Sequence, residues 1–480
     1  MTIAKTDSKV TNVSQLNMES PKLLIPIFEK ILGPQFIITD KKIKETYETE
    51  WRNRYQNIAV AVLFPRTTKQ VQEIVLACKQ HKIGIVPQGG NTSMCGGSIP
   101  DDSGRLQVIL NLSKMNKILA IDTVNSSITV EAGSTLLSVI SAAKQNDLYF
   151  PLSIGAEGSC QIGGNIATNA GGIHVICYGM MRDLILGLEV VLADGTIINQ
   201  LTGLRKNNTN FDLKQLFIGS EGTLGIITRA TLKLFPQPQG YITILCGMDS
   251  ITDACSLLSH ASKHFRICAF EIINELTQQI YNTHFQDNAF SIKAPWLVLF
   301  EFESSNDKDI EKLANLMELE CIDLNKTIIA SNNKEQKELW NMREKIPLAE
   351  KAEGFAVKHD ISLPISCIGD FIDLNKRNIL NKFKDARIII FGHLGDGNLH
   401  YNIKFKDRDY ESLQQIEHEV NQLVYKDVFH FNGSFSAEHG VGKIKKAWFK
   451  MYYDETSYSL AKSIKNMLDP DNILNPGKIF

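Results

Sequence analysis

The chain has 480 residues, 43% of them hydrophobic, and its 51 Lys plus Arg against 53 Asp plus Glu give a formal charge of -2. That length exceeds one ordinary core and calls for two or three packed units. The near-neutral balance excludes a general attraction to nucleic acid or to an anionic membrane, and no run of about 18 apolar residues marks a transmembrane helix.

The opening MTIAKTDSKVTNVSQLNMES is polar, lacks the apolar stretch of a secretory signal, and reads as a disordered tail over 1–20. A soluble, cytoplasmic protein is expected. The scarcity of acidic residues in the tail leaves a transit peptide open, which in a eukaryote means the mitochondrial matrix, and peripheral membrane association stays open too. The nine cysteines, at 78, 95, 160, 177, 246, 255, 268, 321 and 367, are odd in number, dispersed and never spaced C-x-x-C. Reduced thiols are expected, neither a disulfide framework nor a thiolate zinc site.

Ser20-Pro21 reads as a helix N-cap with proline at the first helical position, opening the helix SPKLLIPIFEKIL. IAVAVLFP (58–65) is a strand, TTKQVQEIVLACKQHK (67–82) a Thr-capped helix, and IGIVPQGG a strand running into glycines. Further strands are predicted over 106–112, 126–133, 185–195 and 224–236, with a helix in STLLSVISAAKQND. These elements make one domain over 21–238, closed by a Pro-Gln-Pro turn. The strands GYITILCGM and WLVLFEFE then alternate with helices at 250–264, 307–320 and 333–352, predicting a second α+β domain with an antiparallel sheet over 239–410. The segment 411–480 is mostly helical, ends in DPDNILNPGKIF, and is expected to pack back on the first domain.

Neither GxGxxG nor GxxxxGK[ST] occurs, so Rossmann and P-loop sites lose their sequence support. Three other glycine-rich segments do occur. QGGNTSMCGG (88–97), directly after the strand IGIV, has the paired glycines that let backbone N–H groups close on a pyrophosphate. SIGAEGSCQIGGNIATNAGG carries Gly155, Gly158, Gly163, Gly164, Gly171 and Gly172 with the amides Asn165 and Asn169, a composition suited to packing against a flat polar ring. FIGSEGTLGIITRATLKLFP places Gly219, Gly222 and Gly225 before a strand. Any one of these, taken alone, is more often a turn with structural glycines.

In this order the segments resemble the FAD-linked oxidases and dehydrogenases of the vanillyl-alcohol oxidase type, in the branch that holds D-lactate dehydrogenases, glycolate oxidase subunits and D-2-hydroxyglutarate dehydrogenases. The similarity is closest to the last group. It is carried by WRNRY, GSCQIGGNIATNAGG, YGMMRDLILGLEVVLADG and LRKNNTNFDLKQLFIGSEGTLGIIT, and runs from about residue 35 to the C-terminus. The resemblance implies an α+β architecture, with an FAD-binding domain of two α+β subdomains, a substrate domain, and a C-terminal segment that returns to close the site. It also implies FAD contacts at Pro87, Gly89, Gly90, Asn91 and Thr92, and at Gly155, Gly158, Ser159, Gly163, Gly164, Asn165, Asn169 and Gly171. Glu221, Gly222, Gly225, Ile226 and Asn475 complete the implied set. Some relatives attach FAD through His or Cys, but the loop over 87–97 has no His, and Cys95 replaces a position often aliphatic in the subgroup. Non-covalent FAD is expected.

GHLGDGNLHYNI (392–403) reads as a hairpin with histidines at the mouths of facing strands, and strand alternation puts His400 and Asn402 on one face. In SAEHGVGK (436–443) a carboxylate and an imidazole are adjacent. His393, His400 and Glu438 form a common ligand set for a catalytic divalent ion, with His439 left as a base. The bland alternative is two unrelated histidines and a solvated carboxylate. The resemblance implies that His393, His400 and Glu438 bind zinc or another divalent metal and that His439 is the base. It also matches Arg343, Lys358 and Asn402 to substrate contacts, although on residue type alone Arg343 suits a helix face and Lys358 an exposed strand.

The implied activity is dehydrogenation of a D-2-hydroxy acid to the 2-oxo acid by hydride transfer to flavin, with 2-hydroxyglutarate the first substrate to try. D-lactate dehydrogenase, or the FAD subunit of a glycolate oxidase-like complex, is the alternative, and a flavin-free metallohydrolase is a third. The electron acceptor, an electron-transfer flavoprotein or a quinone, is open, as are the metal and a homodimer. Two departures bear on the substrate. Pro347 stands where animal relatives carry Thr, and Cys177 replaces an Arg frequent in the subgroup.

Overall fold

The computed structural model describes residues 19–285, 292–304, 308–319, 321–405 and 409–480. Nearly all of the tail expected over 1–20 therefore lies outside the described residues. The helix Glu19–Leu32 begins before Ser20, which lies inside it and is not its cap.

The first sheet has the order Ile37–Ile38, Val62–Leu63, Gln107–Asn111, Gly84–Gln88. Its last three strands are parallel, so a crossover must join Val62–Leu63 to Gly84–Gln88, and the helix Thr68–Gln80 supplies it. Thr67 starts that helix by accepting from Gln70 N at 3.2 Å. Val71, Ile74, Val75 and Cys78 on its inner face pack with Ile85 and Val108. The strand expected over 58–65 is regular only at Val62–Leu63, and Ile58 is exposed.

A five-stranded antiparallel sheet follows, ordered Ile118–Asp122, Ser127–Glu131, Ile226–Lys233, Ile185–Val191, Ile197–Gln200. Its two edge strands, ILAID and IINQ, carry mostly exposed or half-buried side chains. They lack the alternation by which a half-buried strand announces itself.

The second domain is built on one sheet. Its order is Thr327–Ile329, Tyr241–Met248, Trp296–Glu303, Ile267–Asn274, Ala386–His393, Asn398–Phe405, Ala356–Val357, and Asp360–Ser362 pairs with Asn398–Phe405 as well. The pairings are antiparallel. Helices Ile251–His264 and Ile368–Lys382 cover one face, where Leu257, Ile272, Phe371 and Tyr401 share a core. Helices Glu275–His284 and Asn333–Ala352 cover part of the other through Ile273, Ile280, Met342 and Phe391. Cross-strand register sets Glu271 opposite His393 and Phe391 opposite His400, so these four side chains lie on that second face.

After residue 410 the chain divides. The helix Tyr410–His430 buries Val420, Val424 and Tyr425 in the core of the second domain, whereas Ile473 and Leu474 join the core of the first. Asn475 N donates to Ile85 O at 2.7 Å, and Lys465 Nζ reaches Thr223 O at 2.8 Å. Among the described residues no helix is long and apolar enough to cross a membrane.

Candidate functional site

The hairpin from Ala386–His393 to Asn398–Phe405 turns through Leu394–Asp396 and Gly397, whose φ of 82° suits glycine. A side chain there would also strike Leu363 O, 2.2 Å from an ideal Cβ. The turn sets the rings of His393 and His400 5.6 Å apart. Glu438 Oε1 lies 3.8 Å from His393 Nε2, and each of these three residues offers a ligand atom within 4.8 Å of the other two. Tyr401 turns the other way, onto Phe371. Asn402 shares the side of His400 and is buried, its Oδ1 accepting from His359 N at 3.1 Å.

A carboxylate without a sequence signal organises the histidine. Glu271 bonds His393 Nδ1 through one oxygen and Arg343 Nε at 2.6 Å through the other. Burial alone would raise the Glu271 carboxyl, but the charges of Arg343 and His393 hold it at about 2. Burial likewise opposes charge on His393, yet Glu271 carries it up to about 9. With Nδ1 engaged, Nε2 of His393 faces Glu438. Arg343 is thus paired already, and its guanidinium stacks over Phe391 at 5.0 Å. Lys358 is paired too, with Glu350 at 2.8 Å.

Asp360 is the second such carboxylate. It accepts from the backbone N of Glu438 at 2.9 Å and of His439 at 3.0 Å, and from Asn398 Nδ2 at 2.9 Å. His439 Nδ1 lies 3.4 Å from its Oδ2 and His400 Nδ1 4.0 Å from its Oδ1. Although burial works against ionisation, the neighbouring His439 and Lys445 hold Asp360 well below the usual carboxylate range. Burial lowers His439 despite Asp360, so its imidazole is neutral near pH 7. Burial also takes His400 down to about 3 and Glu438 up to about 7. The neutral His400 offers the lone pair that a divalent cation needs, whereas His393 would have to give up its Nε2 proton to bind one; a cation would favour that loss and the ionised Glu438.

The three glycine segments interlock beside this group. A Cβ on Gly90 would lie 1.9 Å from Ser159 O, and one on Gly222 3.1 Å from Pro87 Cγ. A Cβ on Gly440 would lie 2.6 Å from Glu221 Oε1. By contrast, Gly155, Gly158 and Gly164 face open space, with none of the described residues within 4 Å of the missing Cβ. Among the described residues, buried Gln161 Oε1 and Asn475 Oδ1 have no hydrogen-bond partner. Open glycine surfaces with orphaned polar atoms between them fit a large polar cofactor such as FAD. This region also meets the carboxylate of the histidine group: a Cβ on Gly171 would stand 3.2 Å from Glu438 Oε1.

The other residues implicated by sequence divide into those lining loops and those holding the frame. Gly89, Asn91 and Thr92 are half-buried in the first loop, with Asn91 at φ 55° donating to Thr49 O. Ser159 is exposed. Asn165 Nδ2 points to Cys160 Sγ, and Asn169 accepts from Arg182 N at 2.8 Å. Gly163 packs on Ala132, Gly225 on Val190, and Ile226 is a core residue of its strand. The side chain of Glu221 takes the backbone N–H groups of Val441 at 2.7 Å and Gly442 at 2.8 Å, fastening the loop that carries Glu438 and His439. Asn475 Nδ2 donates to Glu221 O at 2.7 Å. Buried Cys95 directs its thiol to Gly440 O at 3.4 Å.

Comparison with known proteins shows the family. Residues 59–200 match a family model described as an FAD binding domain, and residues 237–479 one described as FAD linked oxidases, C-terminal domain. The chain is 36% identical to the mitochondrial D-2-hydroxyglutarate dehydrogenase of Danio rerio, over 94% of its own length and 84% of that protein's. It is 36% identical to the enzyme of the same name from Rattus norvegicus, over 94% of its length and 83% of the other. The 4-ethylphenol oxidase of Gulosibacter chungangensis shares the fold, with a TM-score of 0.75 and 18% identity over 97% of this chain and 98% of that one. The chain belongs to the FAD-linked oxidases, with the vanillyl-alcohol oxidase type of fold.

Proposed function

We propose that this FAD-linked oxidase is a metal-dependent dehydrogenase of D-2-hydroxy acids, with D-2-hydroxyglutarate its first candidate substrate and D-lactate its second. The observation that carries the reading is the meeting at Gly171 and Glu438, where a glycine-rich segment abuts the His393, His400 and Glu438 group. A substrate held by that group would present its C2 toward the glycine-lined space. The names of the two vertebrate relatives support the choice of acid.

His393, His400 and Glu438 would hold a divalent ion, and the glycine segments non-covalent FAD. When bound, the ion would supply a Lewis acid for the substrate hydroxyl and FAD the acceptor of two electrons from C2. His439 is the base. Asp360 faces its Nδ1, which leaves Nε2 to accept the hydroxyl proton, and its depressed pKa keeps it unprotonated at neutral pH. Arg343 and Lys358, each paired with a glutamate, would turn their remaining N–H donors to substrate carboxylates, and Asn402 has an amide nitrogen to donate. Turnover needs an external acceptor, an electron-transfer flavoprotein or a quinone.

The test is anaerobic titration of the purified holoprotein with a panel of D- and L-2-hydroxy acids, read by flavin absorbance. Bleaching by a D-acid and not by its L-enantiomer is expected. A flavin that stays oxidised with every acid would sink the proposal.

A further inference from the structure

Away from the histidine group, Cys177 and Cys268 bring their sulfurs to 3.7 Å from opposite sides of the boundary between the two domains. Cys177 lies on the short helix Val175–Tyr178 of the first domain, and Cys268 on the strand Ile267–Asn274 of the second. Cys177 is half-buried and Cys268 fully buried. Polar groups lie close by. Glu303 accepts from Tyr178 OH at 2.6 Å and pairs with Arg266 at 2.9 Å, and Arg266 lies 4.8 Å over the ring of Tyr178.

We infer that Cys177 and Cys268 form a peroxide-sensitive dithiol that closes to a disulfide and staples the FAD-binding domain to the substrate domain. Three observations converge on it. The sulfurs need approach by only about 1.7 Å to reach the ~2.05 Å of a disulfide. The two residues are unequal in the way that attack and resolution require: the bond from the Cys268 thiol, and then the charge of Arg266, draw the Cys177 thiol below its ordinary value, while that same bond and burial push Cys268 up. Finally, the more acidic sulfur is also the one that solvent reaches.

The chemistry balances with hydrogen peroxide as oxidant. The Cys177 thiolate attacks one peroxide oxygen, the O–O bond breaks, and the departing hydroxide takes up the thiol's former proton as water. This leaves a sulfenic acid on Cys177. The Cys268 sulfur then attacks the Cys177 sulfur; the S–S bond forms, the S–O bond breaks, and a second water carries away the Cys268 proton. Two electrons pass from the sulfurs to the peroxide.

The consequence bears on the histidine group. The strand that carries Cys268 also carries Glu271, which holds His393 and Arg343. Beside Cys177, Ile176 packs against Gly395 in the turn between His393 and His400. A covalent link here fixes that strand to the helix it packs on, in the oxidised protein only.

The test is a non-reducing peptide map of the holoprotein after graded hydrogen peroxide, with free thiols counted by a maleimide. The expected result is loss of two of the nine thiols at the lowest effective dose, one linked Cys177–Cys268 peptide, and full recovery with dithiothreitol. Cys177→Ser should abolish this low-dose loss, and Arg266→Gln should raise the dose it needs by about tenfold through a less available thiolate. Sulfinic acid on Cys177 with Cys268 still free would overturn the inference. So would equal reactivity of all the cysteines, or a tightly bound zinc ion that protects the pair. The readout is mass and thiol count, so it stands or falls independently of the substrate.

Discussion

His439 Nδ1 lies 3.4 Å from Asp360 Oδ2, and the same carboxylate oxygen accepts the backbone N–H groups of Glu438 and His439. One buried charge therefore places both the proposed base and a proposed ligand. Its removal predicts a split result. Asp360→Asn keeps an oxygen for the two amides and loses the charge that raises the pKa of His439. The acid limb of the kcat/KM profile should move to lower pH, with kcat down by about 100-fold. His439→Ala should retain FAD and lose about 100-fold or more in the anaerobic reduction rate. An unchanged reduction rate would remove His439 from the mechanism.

Glu271→Gln leaves Arg343 and His393 without the carboxylate that lies between them. Breaking a buried pair by deleting one partner costs about 3–5 kcal/mol. A divalent ion held by His393 should also bind about 10–100-fold more weakly once Nδ1 of the ring faces a neutral amide in place of a carboxylate. Thermal melting and elemental analysis of the purified variant check the two effects. Normal metal content at full occupancy of FAD would count against His393 as a ligand.

Acid should destabilise the fold through His359. Burial pushes this ring down to about 4; its Nδ1 bonds Tyr401 O at 2.8 Å and its Nε2 faces Asn421 at 2.9 Å. The unfolded ring titrates near pH 6.5. Between those values the unfolded chain binds the extra proton, so the contribution is complete above about pH 6.5 and is lost as pH falls toward 4, up to ~3 kcal/mol. Urea melts at pH 7.5 and pH 5 should show a slope that His359→Gln flattens. Equal slopes in the two proteins would assign the acid sensitivity elsewhere.

Two glycine substitutions should separate packing from cofactor binding. Gly90→Ala drives a Cβ to 1.9 Å from a backbone oxygen and should lower the stability of the apoprotein. The Cβ of Gly164→Val has none of the described residues within 4 Å, so the apoprotein should melt nearly as before while FAD binds at least about tenfold more weakly. Unchanged FAD affinity in Gly164→Val would mean that the open side of Gly164 is not the flavin side.

Much of this molecule is legible along the chain. The Thr-capped helix Thr68–Gln80, the strands of the five-stranded sheet's centre and the helix Asn333–Ala352 all follow from local apolar periodicity. Its exposed edge strands do not, since pairing on one side leaves no mark in hydropathy. Glu271 is harder still. It lies in the strand ICAFEIIN among apolar residues, with nothing nearby to say that its charge is matched. The match is His393, 122 positions away. Asp360 in HDISLP is equally silent, because what it binds is a backbone loop that arrives 78 positions later.

The sequence alone determined the chemistry available: glycine-rich backbone suited to a flavin, two histidines seven positions apart on a hairpin, and a Glu-His pair. These signals are local because a turn, a strand alternation or a glycine needs only its neighbours. Tertiary structure alone decided which charges meet. It brought Glu271 under His393, Asp360 under His439, Glu221 onto the 441–442 backbone and Cys177 beside Cys268. Buried ionic and thiol pairs are set by the packing of sheets and domains distant in sequence, and an isolated acid or cysteine in the chain carries no record of the partner that folding will deliver.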